Sequence, residues 1–307
     1  EGSLLCVFLA ARRCKEQHSL DKAWNTELDD AKWPEIAPQF CNGSRQSPIN
    51  IATSAVKPDS KLTAFTFENF HRKSVLKTIT NTGKTVDVFL NIFYISLKGG
   101  DLPEEYDSLQ FHLHWGNGAS VPGSEHTVDG KRYPMELHIV NIKSSYNGNT
   151  TLGVADSMGL AALGFFIEGL YDGCRNKILK ADWTYCLLLD DSVSMDQDIS
   201  LDDLLDGVNR TKYFRYLGSL TTPNCNEAVV WTVFKETIKV SKDLINLFST
   251  TLHTSDSASP IMIDVYRNIQ PDQKVTTQPG NNSNSLSTNY YSLAVLLALN
   301  LMQFMNW

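Results

Sequence analysis

The chain has 307 residues, of which 42% are hydrophobic and 20% charged, and its formal net charge is -7. This composition excludes a disordered chain and is enough to build one large domain or two small ones. The acidic balance, with no Lys/Arg-rich run, excludes nucleic acid as the main partner, because phosphate binding needs clustered cations.

In chain order, residues 1–19 hold a short apolar run, Leu4 to Ala11, followed by Arg12 and Arg13. It is too short to span a bilayer and reads as the remnant of a secretory signal; an ordinary buried N-terminal segment is the alternative. Residues 20–275 read as one domain with no internal linker and no repeat. Short runs bounded by turn residues predict strands. They are Ala64 to Phe70, Val75 to Asn81, Thr85 to Leu90, Ile92 to Lys98, Ser108 to Trp115, Met135 to Ile142, Leu160 to Ile167, Tyr185 to Leu189 and Val229 to Lys235. Two helices are predicted, Leu201 to Val208, opened by Ser200 with Asp203 three residues on, and Ser241 to Leu252. The fold class is therefore mostly β (α+β), a single domain with peripheral helices. Residues 276–289 are a polar spacer rich in Asn, Ser and Gly. Residues 290–307 are an uncharged apolar tail, YYSLAVLLALNLMQFMNW. With no basic residue after it, the tail reads as a GPI-anchor signal rather than a transmembrane anchor, with a buried helix as the alternative. None of the six cysteines sits in a CxxC pair, so a thiolate zinc site is not expected. Asn42, Asn149, Asn209 and Asn281 open N-x-S/T sequons.

The densest chemistry is FHLHW, Phe111 to Trp115. In a strand, residues two apart share a face, so His112 and His114 point one way and Phe111, Leu113 and Trp115 the other. MELHIV supplies His138 on a second apolar strand. If the strands are neighbours, three imidazoles can hold one zinc ion and leave its fourth position to water, the catalytic arrangement. Gln110 and Glu136 each lie two residues before a histidine, on the same face, and can orient it. The same pattern also fits core histidines satisfied by ordinary hydrogen bonds.

Five segments together resemble the α-class carbonic anhydrases in order and spacing: RQSPINI (Arg45 to Ile51), LQFHLHWG (Leu109 to Gly116), GSEHTVDG (Gly123 to Gly130), MELHIV (Met135 to Val140) and YLGSLTTPNCNEAVVWTVF (Tyr216 to Phe234). The cysteine placement and the tail are similar to the extracellular, membrane-anchored branch of that family. The resemblance implies a large, central, twisted, mainly antiparallel sheet with a conical zinc cleft, and reversible hydration of carbon dioxide to bicarbonate and a proton. It implies Zn2+ on His112, His114 and His138. The Thr221 hydroxyl would accept from zinc-bound hydroxide and donate to Glu125. Thr222 would contact bicarbonate or water, and Val140, Ala162, Leu220 and Trp231 would form the apolar wall for carbon dioxide. His126 and Tyr216 would support the network from behind; the two aromatics Tyr216 and Trp231 fit simple core roles equally well. A Cys41–Cys225 disulfide is implied, worth about 4 kcal/mol in the chain-entropy account; the pairing of Cys14, Cys174 and Cys186 stays open. Sulfonamide and anion inhibitors, a lipid anchor and the extracellular face of the plasma membrane are further expectations.

The chain departs from the family at several cleft positions, Thr26 standing where a tyrosine is usual. Lys84 stands where fast members carry a shuttle histidine. Lysine ordinarily titrates near about 10.4, too high to relay a proton at neutral pH, so slower, buffer-dependent turnover is expected. Ala162 replaces a valine, and Asp87 adds a carboxylate where a neutral residue is usual. The competing readings are a catalytically weak, carbonic-anhydrase-like cell-surface binding module and a different zinc hydrolase such as an esterase.

Overall fold

A computed structural model describes residues 30–91, 94–170, 192–194, 199–256 and 258–280. The segment 1–19, Cys14, Cys174, Cys186, the Tyr185 to Leu189 run and the tail 290–307 lie outside the described residues. The strands in chain order are β1 (Asn50–Ile51), β2 (Lys57–Pro58), β3 (Phe65–Glu68), β4 (Leu76–Asn81), β5 (Val86–Leu90), β6 (Ser96–Gly99), β7 (Tyr106–Trp115) and β8 (Thr127–Val128). They continue with β9 (Lys131–Arg132), β10 (Met135–Lys143), β11 (Leu160–Leu170), β12 (Ser192–Ser194), β13 (Tyr213–Gly218), β14 (Val229–Phe234), β15 (Ile238–Ser241) and β16 (Thr276–Thr277). The α-helices among the described residues are α1 (Trp33–Ile36), α2 (Thr150–Ala155), α3 (Leu201–Leu204) and α4 (Lys242–Thr251).

Among the described residues one thirteen-stranded sheet organises the domain, in the order β12-β4-β5-β7-β10-β11-β14-β13-β16-β2, with β3, β6 and β15 attached at its sides. Its pairings are antiparallel except β11 with β14, β11 with β15 and β16 with β2. The predicted mainly antiparallel sheet is therefore the observed one. Its central strands are buried on both faces, which is why they read as almost continuous apolar runs. Odd positions of β10 and β11 (Leu137, Ile139, Leu163, Phe165) enter the larger core with Phe111, Leu113 and Trp115 of β7. That face is covered by Leu244, Ile245 and Phe248 of α4. Even positions (Ala162, Phe166) enter the other core with Tyr216, Trp231 and Val233.

Strict alternation in β7 holds only from Gln110 onward. Val140 pairs with Gln110 but Asn141 with Ser108, so the register skips Leu109. This bulge inverts the parity of the strand: Tyr106, an even position like His112, lies in the same core as Phe111, while Leu109 packs on the opposite cluster.

The helices differ from expectation in length. Ser200 and Asp203 form the predicted capping box, yet α3 stops at Leu204. Gly207 at φ +76° turns the chain away soon after. Ser241 caps α4 by accepting from the Leu244 N–H at 3.3 Å, as its sequence position suggested. The folded domain also runs slightly past residue 275, since Thr276 and Thr277 pair with both β13 and β2. Among the described residues, no helix is long and apolar enough to cross a membrane.

Cys41 and Cys225 are joined in a disulfide that bridges 184 positions of sequence. Both sit in a small cluster with Trp33, and Cys225 is fully buried. Replacing both with serine is expected to lower unfolding stability by about 4 kcal/mol, read as a lower denaturant midpoint than that of the unreduced parent.

Candidate metal centre

The register brings the three histidines together. His138 of β10 pairs with His112 of β7, and Glu136 pairs with His114. All four side chains therefore stand on the cleft face, one strand spacing apart. The ring centroids of His112, His114 and His138 lie 4.5 to 5.2 Å from one another. Their potential ligand atoms all fall within 4.8 Å.

Each ring is turned by a hydrogen bond on its outer nitrogen. His112 Nδ1 meets Gln110 Oε1 at 3.0 Å, His114 Nδ1 meets the Val265 carbonyl at 3.0 Å, and His138 Nε2 meets Glu136 Oε1 at 2.9 Å. A carbonyl oxygen and a carboxylate only accept, so these outer nitrogens carry the hydrogens. The inner nitrogens are then bare lone pairs facing each other. His114 Nε2 and His138 Nδ1 are buried and have no hydrogen-bond partner, and neither does Glu125 Oε2, which lies 3.4 Å from the first and 3.8 Å from the second. Buried polar atoms left this way are costly. A cation among them removes the repulsion, and three neutral imidazole nitrogens are the donor set that suits zinc.

Burial keeps the rings neutral. It lowers His114 to about 4 and lowers His138, and it takes His112 well below the usual range with help from the neighbouring His114 and His138. The lone pairs are thus available at neutral pH. Burial opposes ionisation of Glu136 too, but His126 and His138 outweigh it and hold its carboxyl well below the ordinary value. Glu125 goes the other way: burial raises it, against the opposing influence of His138, the Thr221 hydroxyl and the Arg267 N–H. That N–H donates to Glu125 Oε1 at 2.8 Å.

Behind the rings, Glu136 anchors a buried chain of hydrogen bonds. Its Oε1 also meets His126 Nδ1 at 2.7 Å, and its Oε2 accepts the His126 backbone N–H at 2.8 Å. His126 Nε2 meets the Tyr216 hydroxyl at 2.6 Å, which reaches Ser47 Oγ at 2.8 Å. His126, Glu136 and His138 also have metal-site spacing. Their facing atoms, however, are already bonded to one another, which marks them as support.

The histidines floor a cleft of about 420 Å³. One wall is apolar: Val140, Ala162, Leu220 and Trp231, joined by Leu160 and Val229. The lining also includes the polar residues Lys84, Asp87, Gln110, Thr221 and Thr222. Burial raises Asp87 to about 6. Thr221 is buried and Thr222 exposed. The turn that follows them is fixed by the Cys225 N–H donating to the Thr222 carbonyl at 3.0 Å, beside the disulfide.

A family model for eukaryotic-type carbonic anhydrase matches residues 28–278. The chain belongs to that family. It is 38% identical to carbonic anhydrase 4 of Mus musculus, over 78% of this chain and 76% of the relative. It is 34% identical to carbonic anhydrase 4 of Oryctolagus cuniculus, over 89% and 88%, and 33% identical to carbonic anhydrase 3 of Bos taurus, over 79% and 90%. The chain is thus a carbonic anhydrase, and carbon dioxide hydration is the reaction of its family.

Every cleft residue singled out in the sequence lies inside the matched span, and the fold gathers all of them at the cleft or directly behind it. The Val265 carbonyl was not legible, because any residue could supply it. Nor was Trp33, which also lines the cleft, or the part played by the Arg267 backbone.

Glu136 accepts three N–H groups through two oxygens. Glu136→Gln would turn one acceptor into a donor facing a donor. It is expected to weaken metal retention by about 10- to 100-fold, measured by chelator competition with the fold checked by circular dichroism.

Proposed function

We propose that this carbonic anhydrase hydrates carbon dioxide to bicarbonate and a proton with Zn2+ held by His112, His114 and His138. The observation that carries the reading is the set of converging, partnerless nitrogens at the floor of a half-apolar cleft. Zinc, when bound, supplies Lewis acidity that brings the pKa of water to about 7. The protein does the rest. Gln110, the Val265 carbonyl and Glu136 fix the ring orientations. Thr221 donates its hydroxyl hydrogen to the buried Glu125, which leaves the hydroxyl lone pair to accept from the attacking oxygen and aim it, an orientation effect. Val140, Ala162, Leu220 and Trp231 give an uncharged linear substrate a place beside that oxygen without a competing cation. Thr222, exposed at the lip, contacts bicarbonate as it leaves. Sulfonamides and small anions are the expected inhibitors, since they would compete for the same floor.

Stopped-flow hydration on the purified protein tests this. Activity should disappear with a chelator, return with zinc, and fall by about 100-fold in Thr221→Val, where the hydroxyl but not the shape is lost. Normal zinc binding with no hydration would instead favour a binding module.

Lys84 stands exposed on the cleft wall. Lys84→His is expected to raise turnover at low buffer concentration and to change little at high buffer, because it adds a relay that titrates near the working pH. An unchanged low-buffer rate would remove Lys84 from the proton route.

The same proposal places the protein at the extracellular face of the plasma membrane on a lipid anchor. A disulfide among the described residues suits an oxidising compartment, and the polar spacer and apolar tail suit the anchor. Release from intact cells by a phosphatidylinositol-specific phospholipase is the corresponding measurement.

A further inference from the structure

We infer that two of the sequons, Asn42 and Asn149, carry N-linked glycans, and that both glycans flank the side of the domain bearing the Thr222 to Cys225 turn. The inference rests on the extracellular placement proposed above. It goes beyond that placement by selecting among the sequons on structural grounds.

Asn42 occupies the third position of a turn closed by the Gly43 N–H donating to the Phe40 carbonyl at 2.8 Å. It is exposed, as are Gly43 and Ser44, and the preceding Cys41 is tied down by the disulfide. The side chain of Asn42 therefore projects from a fixed corner. Gly43 leaves room for Glu227, whose Oε1 lies 2.1 Å from where a Cβ would stand, and a sequon tolerates any middle residue but proline.

Asn149 is exposed and caps α2. Its Oδ1 accepts from the Leu152 N–H at 3.3 Å. Glycosylation forms a bond from Nδ2 to the anomeric carbon of the sugar. The donor is a lipid-pyrophosphate-linked oligosaccharide; its carbon–oxygen bond breaks, the pyrophosphate departs with the electron pair, and the amide gives up one proton to solvent. Oδ1 is untouched, so the cap survives the modification.

Asn209 differs from both. It is half-buried, its backbone N–H donates to Glu236 at 2.9 Å, and its Oδ1 accepts both the N–H and the hydroxyl of Thr211, at 3.0 and 2.7 Å. It is not assigned a glycan, and the fourth sequon, Asn281, lies outside the described residues and is left out of the selection.

Two contacts tie the segment after Asn42 and the loop beside Cys225 to the end of the helix that Asn149 caps. Arg45 Nη2, three residues after Asn42, donates to the Ser157 carbonyl just beyond α2 at 3.0 Å. Asn226 Nδ2, beside Cys225, donates to the Val154 carbonyl within α2 at 3.4 Å.

The test uses the full chain expressed in secretory cells and collected from the surface by phospholipase release. Treatment with peptide N-glycosidase in heavy-oxygen water converts each glycosylated asparagine to labelled aspartate, located by peptide mass spectrometry. The expected result is label at residues 42 and 149, none at residue 209, and loss of one mobility step on a gel in each of N42Q and N149Q. Unlabelled Asn42 or Asn149 on surface-delivered protein overturns the inference and leaves the placement standing. A chain that never reaches the surface overturns both. Because the label is read on the parent protein, a variant that fails to fold does not obscure the answer.

Discussion

Three imidazole lone pairs and a carboxylate oxygen point at one another at the floor of a cleft, and the rest of the architecture is arranged around making that tolerable. In water such groups would turn away or take up protons. Here they cannot turn, because each ring is bonded on its far side to Gln110, Val265 or Glu136. Nor do they readily take up protons, because burial disfavours the cationic form. The protein holds a local electrostatic conflict in place, and a divalent ion is its natural resolution.

Rigidity on that scale needs a wide sheet. The histidine-bearing strands β7 and β10 lie in the middle of it, flanked by β5 and β11, so neither can shift without breaking ladders on two sides. The two cores press on them from opposite faces. The remaining parts of the site come from loops, and these are fastened individually: the Thr221 and Thr222 segment by the Cys41–Cys225 bridge, and the 264–267 turn by Val265 donating to the Trp115 carbonyl at 2.8 Å. A stiff sheet sets the floor, and pinned loops set the walls.

Most of this was readable in advance where a side chain carries the information. Alternation in FHLHW put His112 and His114 on one face, and the pairing of Gln110 and Glu136 with their histidines followed from the same period. The eight strand runs that fall within the described residues all have a counterpart in the sheet. What escaped falls into two kinds. Very short strands such as β1, β8 and β16 have no pattern to read at two residues each. Strand β13 hid for a different reason: Tyr213, Phe214, Arg215 and Tyr216 are all buried, so polarity does not alternate, and the guanidinium inside is satisfied by the Gly100 carbonyl and Thr232. The bulge at Leu109 was equally silent, since nothing in the strand's composition announces an extra residue.

The bond from His114 to the Val265 carbonyl has a consequence for how this site can drift over evolutionary time. Its chemistry belongs to the main chain, so replacements at residue 265 that preserve the loop path leave the oxygen where it is. The selective burden moves one residue upstream, to Asp264, which holds φ at +54°, a region few residue types enter readily. Tolerance at one position and intolerance at its neighbour would then record a contact that the identity of neither side chain reveals.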